Sequence, residues 1–279
     1  MDTRAIGLDV GLAFTKWVTG AEDLHYGIWD DLDVTAGNLH EAQTRYSAKL
    51  FSAFPEGTLN ILDIGGGAGE TARKLIALGH NVDIVVPSTF LAERCRENAP
   101  EATVYETTFE EFDANKTYDL CLFSESFQYI PFEIAMTKAR SYLKDGGHII
   151  ICDCFRRETY IPDPVLRTVG SGHRIEAFRA ALPDLPVTLI SEEEITTSVA
   201  PSVELEQKLF NVFGHALTRI DGELAAKRPK TRRVVHFLMR RLMNDKKRAQ
   251  LDQRLNQYTR TAEAFAKNNI YLLMVFQIR

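Results

Sequence analysis

The residues best suited to chemistry lie in one short stretch between a buried strand and a helix. It reads Asp63-Ile64-Gly65-Gly66-Gly67-Ala68-Gly69, after the mostly apolar run 59–62 and before a helical pattern that ends at Gly79. Glycines at every second position let a backbone approach a ligand closely, and the N-terminus of the next helix favours polar groups. A carboxylate beside them would attract a cation. The stretch therefore predicts a small-molecule site at the end of the first strand.

The spacing of these glycines excludes one common ligand. A dinucleotide fingerprint needs its third glycine at position 70, which is Glu70.

Further candidates come from other parts of the chain. Glu125 follows the predicted fourth strand, where it could accept a proton or hold a cationic amine, and His25 and Tyr26 lie in an N-terminal segment that could cover a ligand. A helix cap or solvated loop acid remains open for Glu125. An arm packed on the core remains open for His25 and Tyr26.

The elements that must position these residues alternate regularly. Strands are predicted at 81–86, 103–106, 118–123 and 148–153, and helices at 71–79, 89–98 and 132–143. This alternation predicts a doubly wound parallel sheet. A sixth strand is expected at 187–190, helices at 203–222 and 231–266, and a closing strand at 270–277.

The predicted fold is α/β, with a doubly wound, mostly parallel seven-stranded Rossmann-like sheet, an N-terminal helical arm and a helical cap insertion. The expected division is an arm or lid at 1–58, a cofactor-binding core at 59–155, a substrate cap at 156–269 and the closing strand at 270–279. An insertion before the last strand would sit over the carboxyl edge of the sheet, where ligands bind in such folds.

Several of these segments resemble class I S-adenosylmethionine-dependent methyltransferases. The stretch 63–69 is similar to their first motif, an acid followed by Gly-x-Gly-x-Gly. Residues 118–123 and 142–151 resemble the fourth-strand motif and the Leu-x-Pro-Gly-Gly segment, with Asp145 in place of the proline. The segment from His25 to Trp29 looks like the lid of family members that act on amines, phenolic head groups and prenyl carbons.

The resemblance implies that S-adenosylmethionine is the cofactor and that a methyl group is transferred to N, O or C of a small metabolite or biosynthetic intermediate. Such a reaction needs alignment and exclusion of water, and a base only when the acceptor loses a proton. No metal is expected. Catalytic candidates are Glu125, Tyr26 and His25; cofactor-binding candidates are Asp63, Gly65, Gly66, Gly67, Gly69, Ser88, Phe109 and Ser124.

The chain departs from the family pattern in two places. The usual acid at the end of the second strand is replaced by Val85, and the acid after the third strand by Thr108. Either Ser88 and backbone groups hold the nucleoside, or the ligand differs from ordinary S-adenosylmethionine. The alternative function is therefore that of a methyltransferase-like protein with an altered nucleoside ligand, which catalyses a cyclisation or rearrangement. Alkylation of a lipid at a membrane surface is a further alternative.

Composition bounds the setting in which the protein works. Among 279 residues there is no apolar run near the roughly 18 residues of a membrane span, no secretory signal at the N-terminus and no zinc spacing among the four cysteines. These features predict a cytoplasmic protein.

The net charge of −5 conceals a strong asymmetry. Residues 227–254 contain eleven Lys and Arg against Asp245 and Asp252. Apolar residues at helical spacing within this segment predict a cap helix with one face buried on the core. Contact with an anionic membrane is the alternative, and nucleic acid is not expected as a partner. The sequence does not indicate an oligomeric state.

Overall fold

The computed structural model describes residues 3–163 and 168–278, with side chains from residue 11 onward. The N-terminal arm begins with helix α1 (Thr3–Thr19), continues as an irregular segment to a single 3-10 turn (Ala36–Asn38), and ends with helix α2 (Leu39–Phe51). The irregular segment contains His25 and Tyr26, and it passes beside Glu125, to whose Oε1 the Tyr26 N–H donates a hydrogen bond at 2.7 Å.

Seven strands form one sheet, in agreement with the predicted fold. The strands are β1 (Asn60–Ile64), β2 (Asn81–Val85), β3 (Thr103–Tyr105), β4 (Tyr118–Ser124), β5 (Leu143–Arg156), β6 (Val187–Glu194) and β7 (Asn269–Ile278). Their order is β3-β2-β1-β4-β5-β7-β6, in which β1 to β5 are parallel and β7 runs antiparallel to both of its neighbours. The mostly parallel, Rossmann-like sheet is confirmed.

Helices cover both faces of the sheet: α3 (Glu70–Ala77), α4 (Thr89–Asn98), α5 (Phe132–Tyr142) and α6 (Ile175–Ala181). Successive strand residues point to opposite faces, so Ile61 joins the hydrophobic layer under α3 and Leu62 the layer under α5. Each layer is buried, as expected for parallel strands that are apolar on both sides. Cys121 of β4 and Cys152 of β5 are buried in these layers as small apolar residues.

The cap between β6 and β7 is helical, and its helices are α7 (Thr196–Val199), α8 (Pro201–Lys227), α9 (Pro229–Leu242), α10 (Asp245–Asn256) and α11 (Ala262–Asn268). The single helix predicted over 231–266 is wrong. The chain starts new helices because Asn244 accepts a hydrogen bond from Lys247 N, and Thr261 accepts one from Ala264 N. Both are side-chain N-caps, which favour a helix start over continuation.

The predicted burial of the apolar face of the basic helix is also wrong. No residue of α9 is buried, and Phe237 and Leu242 are 64% and 80% exposed. The cap contacts the core through the first turns of α8 and through α11 instead, where Val203 and Phe265 are fully buried.

Candidate active site

The glycine turn lies where two neighbouring strands send their connections to opposite faces of the sheet. β1 leads into α3 on one face, and the adjacent β4 leads into α5 on the other. A crevice forms beyond the carboxyl ends of such strands, and ligands of doubly wound folds bind there. The glycine turn and the segment after β4 form its two sides.

The glycines of this turn differ in how much space a side chain would have at each position. Gly65 has φ +78°, and a Cβ there would lie 2.4 Å from the Ser126 Cβ. Gly67 has φ +56°, but a Cβ there would meet only Leu24 Cδ1, at 3.6 Å. A Cβ on Gly66 would lie 2.7 Å from Asp63 Oδ2. Packing thus requires glycine at positions 65 and 66, whereas a Cβ on Gly67 would make only an ordinary van der Waals contact.

A cavity of about 900 Å³ opens above the turn. Its wall combines the glycine turn, residues 22–25 of the arm, residues 85–91, residues 108–110 and residues 124–126. The predicted cofactor-binding residues in this wall are Asp63, Gly65, Gly66, Gly67, Ser88, Phe109 and Ser124. Gly69 is not among the wall residues; it has φ +84° and packs against Cys95 of α4, where a Cβ would lie 2.8 Å from Cys95 Cα.

Asp63 sits beneath the glycine turn as an incompletely satisfied carboxylate. It is 1% exposed, and its Oδ2 has no hydrogen-bond partner within the described part of the chain. Burial raises the pKa of this carboxyl to about 7. Because a buried charge without a partner is costly, Asp63 is prepared to receive a cation or a hydrogen-bond donor.

The end of β2 offers no carboxylate. Val85 borders the cavity but is 1% exposed and packs in the layer under α5, so this part of the wall is apolar. Ser88 stands in the cavity wall and its Oγ accepts a hydrogen bond from Leu91 N, which leaves the hydroxyl proton available to a ligand. Glu106, just after β3, is turned toward Arg96 at 3.3 Å.

The arm is held over the cavity by ion pairs. Glu22 contacts Arg94 of α4 and accepts a hydrogen bond from Asn98 Nδ2 at 2.7 Å, and Asp23 pairs with Lys74 of α3 at 2.7 Å. Burial alone would raise the pKa of both acids, but their basic and hydrogen-bonding partners outweigh it and lower each pKa to about 2. Both carboxylates therefore stay charged, and their ion pairs hold the arm against α3 and α4.

Glu125 has a strained backbone conformation on the side of the cavity formed by the segment after β4. It follows β4 with φ +55°, a conformation that non-glycine residues rarely adopt and that is concentrated at functional sites. Its Oε1 accepts hydrogen bonds from Tyr26 N at 2.7 Å and from the Tyr271 hydroxyl at 2.8 Å. The Tyr271 hydroxyl lies 2.9 Å from that of Tyr46, which lies 3.2 Å from Ser124 Oγ. Burial raises the pKa of Glu125 despite these hydrogen bonds.

His25 and Tyr26 are in position to support the site rather than to react directly. Nδ1 of His25 lies 2.7 Å from the Tyr26 carbonyl, Nε2 lies 3.1 Å from Asp23 Oδ1, and the ring stacks on Tyr46 at 4.3 Å. Tyr26 gives its backbone N–H to Glu125, while its ring packs against Phe265 of the cap at 5.9 Å. Both ring nitrogens of His25 are occupied, so this side chain fixes the arm.

The sequence pattern did not indicate Tyr271 and Tyr46 as residues of the site. Tyr271 lies in the apolar run of the closing strand, which predicts a core position, and Tyr46 lies in an ordinary helical pattern. Both are fully buried yet carry hydroxyls, and buried hydroxyls need partners. The sequence signal for Tyr271 is a single hydroxyl-bearing residue within an otherwise apolar strand, and Tyr46 has no comparable signal.

The fold, the glycine turn and the carboxylate beneath it define a Rossmann-like class I methyltransferase. The model of the family described as "Methyltransferase domain" matches residues 39–195, and the chain belongs to this family. The family assignment made from the glycine motif is confirmed. S-adenosylmethionine is its cofactor, and the protein is an enzyme.

Known proteins similar to this chain include sequence and structural relatives. Over 206 residues it is 27% identical to a 27-O-demethylrifamycin SV methyltransferase from Amycolatopsis mediterranei, covering 65% of this chain and 72% of the relative. A geranyl diphosphate C-methyltransferase from Streptomyces coelicolor, solved with Mg2+, geranyl diphosphate and S-adenosyl-L-homocysteine, has TM-score 0.64 at 14% identity and covers 98% and 97% of the two chains. The 4+2 cyclase SpnF has TM-score 0.64 at 13% identity, with coverage of 99% and 94%. At these identities the two structures show the fold alone.

None of the helices in the described ranges is both long and apolar enough to cross a bilayer.

Proposed function

We propose that this methyltransferase acts on a hydroxyl or amine of a small metabolite or biosynthetic intermediate, and that Glu125 receives the proton which the acceptor loses. The observation that carries the proposal is the placement of Glu125. It is a carboxylate in the cavity wall, held by a backbone N–H and a phenol rather than by a basic side chain. Its charge is therefore oriented without being neutralised.

The site fits the cofactor on the side of the glycine turn. The buried Oδ2 of Asp63 lacks a partner among the described residues, and Gly67 borders the cavity, so a ligand can lie against its backbone. We propose that Asp63, Gly65, Gly66 and Gly67 hold the amino-acid end, and that Ser88, Phe109 and Ser124 line the rest of the cofactor's site. Gly69 would act indirectly, by packing the turn against α4. The cofactor supplies an electrophilic methyl group on a positively charged sulfur.

The residues of the chain then have limited and distinct tasks. Glu125 accepts a proton from the attacking O–H or N–H group, and its raised pKa makes it a stronger base than an exposed glutamate. Tyr271 and the Tyr26 backbone fix its orientation. Glu22 and Asp23 hold the arm over the cavity, which excludes water from the reacting groups.

The same geometry supports the division of the chain that the sequence suggested. We propose that residues 1–58 form the lid, that 59–155 and 270–279 form the cofactor-binding core, and that 156–269 form the substrate cap. The described parts of the cap contact the lid directly, since the Ser202 hydroxyl of α8 accepts a hydrogen bond from Gly27 N at 3.0 Å. A bound acceptor would lie between these two segments.

Support for an oxygen acceptor also comes from the Amycolatopsis relative, whose name places the missing methyl group on an oxygen. A carbon acceptor is the alternative, because the Streptomyces structural neighbour is a C-methyltransferase. The two cases differ in whether a proton is lost from O–H or N–H at the acceptor.

The test is transfer of a labelled methyl group from S-adenosylmethionine to a panel of small hydroxyl, amine and prenyl compounds. Once an acceptor is found, Glu125→Gln is compared with Glu133→Gln, an exposed acid on α5 outside the cavity wall. We expect Glu125→Gln to lower kcat about 100-fold or more with unchanged cofactor affinity, since general bases typically contribute about 10²- to 10⁴-fold. Methylation only at carbon, or an unchanged kcat in Glu125→Gln, would refute the proposal.

A further inference from the structure

The surface of α9 combines exposed apolar residues with a high density of positive charge. Its apolar residues are exposed, with Val234, Phe237 and Leu242 at 58%, 64% and 80% exposure. Val234, Leu238 and Leu242 recur every four residues and so share one face of the helix. In a solvated cap helix this face would be covered by the core.

Contacts with α8 turn the apolar face of α9 outward. Asp221 of α8 pairs with Arg232 at 2.9 Å and with His236 at 2.7 Å. These residues lie on the side of α9 opposite to Leu238, so the helix is anchored through its polar side. Leu217 and Ile220 of α8 are also exposed, at 56% and 55%.

The charge around this face is strongly positive. Arg233, Arg240 and Arg241 belong to a segment, 227–254, that holds eleven Lys and Arg against two acids, although the whole chain has a net charge of −5. A helix with exposed apolar residues and a basic polar face is the type that lies in the headgroup region of a bilayer and is drawn there by anionic lipids.

We propose that α9 is a docking surface for an anionic membrane. Charge complementarity favours this occupant over a second copy of the chain packed symmetrically on the same face. In such a pair, two basic segments would be brought together and would repel each other. The proposal is independent of the acceptor and of the role of Glu125.

Co-sedimentation of the full chain with lipid vesicles tests the proposal. Vesicles of phosphatidylcholine with about a third phosphatidylserine are compared with pure phosphatidylcholine, at about 0.1 M and about 0.5 M salt, because surface electrostatics is screened over this range. We expect binding to the anionic vesicles at low salt, at least tenfold weaker binding to the neutral ones, and loss of binding at high salt.

Variants separate the apolar and the basic contributions. The double variants Phe237→Ser/Leu242→Ser and Arg240→Gln/Arg241→Gln are each expected to lower vesicle binding about tenfold or more. Leu78→Ser, at a site 62% exposed just after α3, is the matched control and should bind vesicles as the parent protein does. Unchanged affinity for S-adenosylmethionine in all three variants shows that they are folded.

Three results would overturn the proposal. The first is absence of binding to anionic vesicles. The second is binding that Phe237→Ser/Leu242→Ser leaves unchanged, which would indicate a simple polyanion site suited to nucleic acid. The third is a concentration-dependent dimer in sedimentation velocity that this apolar variant abolishes without any vesicle binding by the parent, which would assign the face to a second copy.

Discussion

Replacing Asp63 with asparagine should change the pH dependence of both stability and cofactor binding. The pKa of this buried carboxyl is about 7, against 3.8 for an unperturbed Asp, so the folded state retains a proton that the unfolded state has already lost between these values. For an acid with a raised pKa, the stabilising contribution is present at low pH and is lost as pH rises toward the folded pKa. Stability of the parent protein without cofactor should therefore fall over this range.

The magnitude follows from the difference between the two pKa values. Each pH unit between them costs about 1.36 kcal/mol, so raising the pH from about 5 to about 8 should cost the parent roughly 3 kcal/mol through Asp63 alone. The amide introduced by Asp63→Asn does not titrate, so the variant lacks this loss. Asp153, whose pKa burial raises to about 8 despite several backbone hydrogen bonds, and Glu125 titrate in both proteins and cancel in the difference.

Urea unfolding at pH 5, 6, 7 and 8 measures this difference in the free energy of unfolding. The control is Asp113→Asn, an exposed acid, which should follow the parent at every pH. In the same buffers, calorimetry should show S-adenosylmethionine binding the parent about tenfold more tightly at pH 7 than at pH 5.5, because a bound cation favours the ionised carboxylate. The variant should bind weakly at both pH values. Parallel stability curves for parent and Asp63→Asn would refute the reasoning.

Further predictions concern the different roles of Gly65 and Gly67 in the glycine turn and the hydrogen bond from Tyr271 to Glu125. Gly65→Ala should lower the free energy of unfolding by about 3 kcal/mol or more, because its Cβ overlaps Ser126. Gly67→Ala should lower it by only about 1 kcal/mol and should instead weaken S-adenosylmethionine binding. Thermal unfolding and calorimetry distinguish the two variants, and an equal loss of stability in both would contradict the assignment. Tyr271→Phe should lower kcat about tenfold, since a hydrogen bond to a charged group contributes about 1.5 kcal/mol, and should shift the acidic limb of the pH profile for kcat upward. The sign follows because the Tyr271 hydrogen bond lowers the pKa of Glu125, so its loss raises that pKa; an unshifted limb would show that Glu125 is not the titrating base.

The sheet and the glycine turn could be predicted because their signals are local. Strand, turn and helix periodicity lie within a few residues of one another around Asp63, and the spacing of the glycines reflects backbone conformations that only glycine adopts easily. The boundaries in the cap were less predictable. Helix propensity continues across Asn244 and Thr261, and only the side-chain caps seen in the structure decide where each helix begins.

The partners of Glu125 could not be predicted because they depend on tertiary contacts. Tyr271 reaches Glu125 only because β7 enters the sheet beside β5, and Tyr26 reaches it only because the arm crosses the end of β4. The exposure of α9 is a case of the same kind. Its apolar pattern is that of a buried helix, and only the packing of the cap shows that nothing in the described chain covers it.

The insertion of β7 between β5 and β6 has a kinetic consequence for folding. The hydrogen bonds between Tyr271 and Glu125, and between Tyr271 and Tyr46, join residues 146 and 225 positions apart. Contacts of such sequence separation form late, because the entropy of closing the intervening chain must be lost first. The glycine turn is built from neighbouring residues, and the packing of Gly65 against Ser126 closes a shorter stretch of chain, so a partly folded chain can shape the cofactor side of the cavity before Tyr271 orients Glu125. Recovery of cofactor binding during refolding should therefore precede recovery of activity.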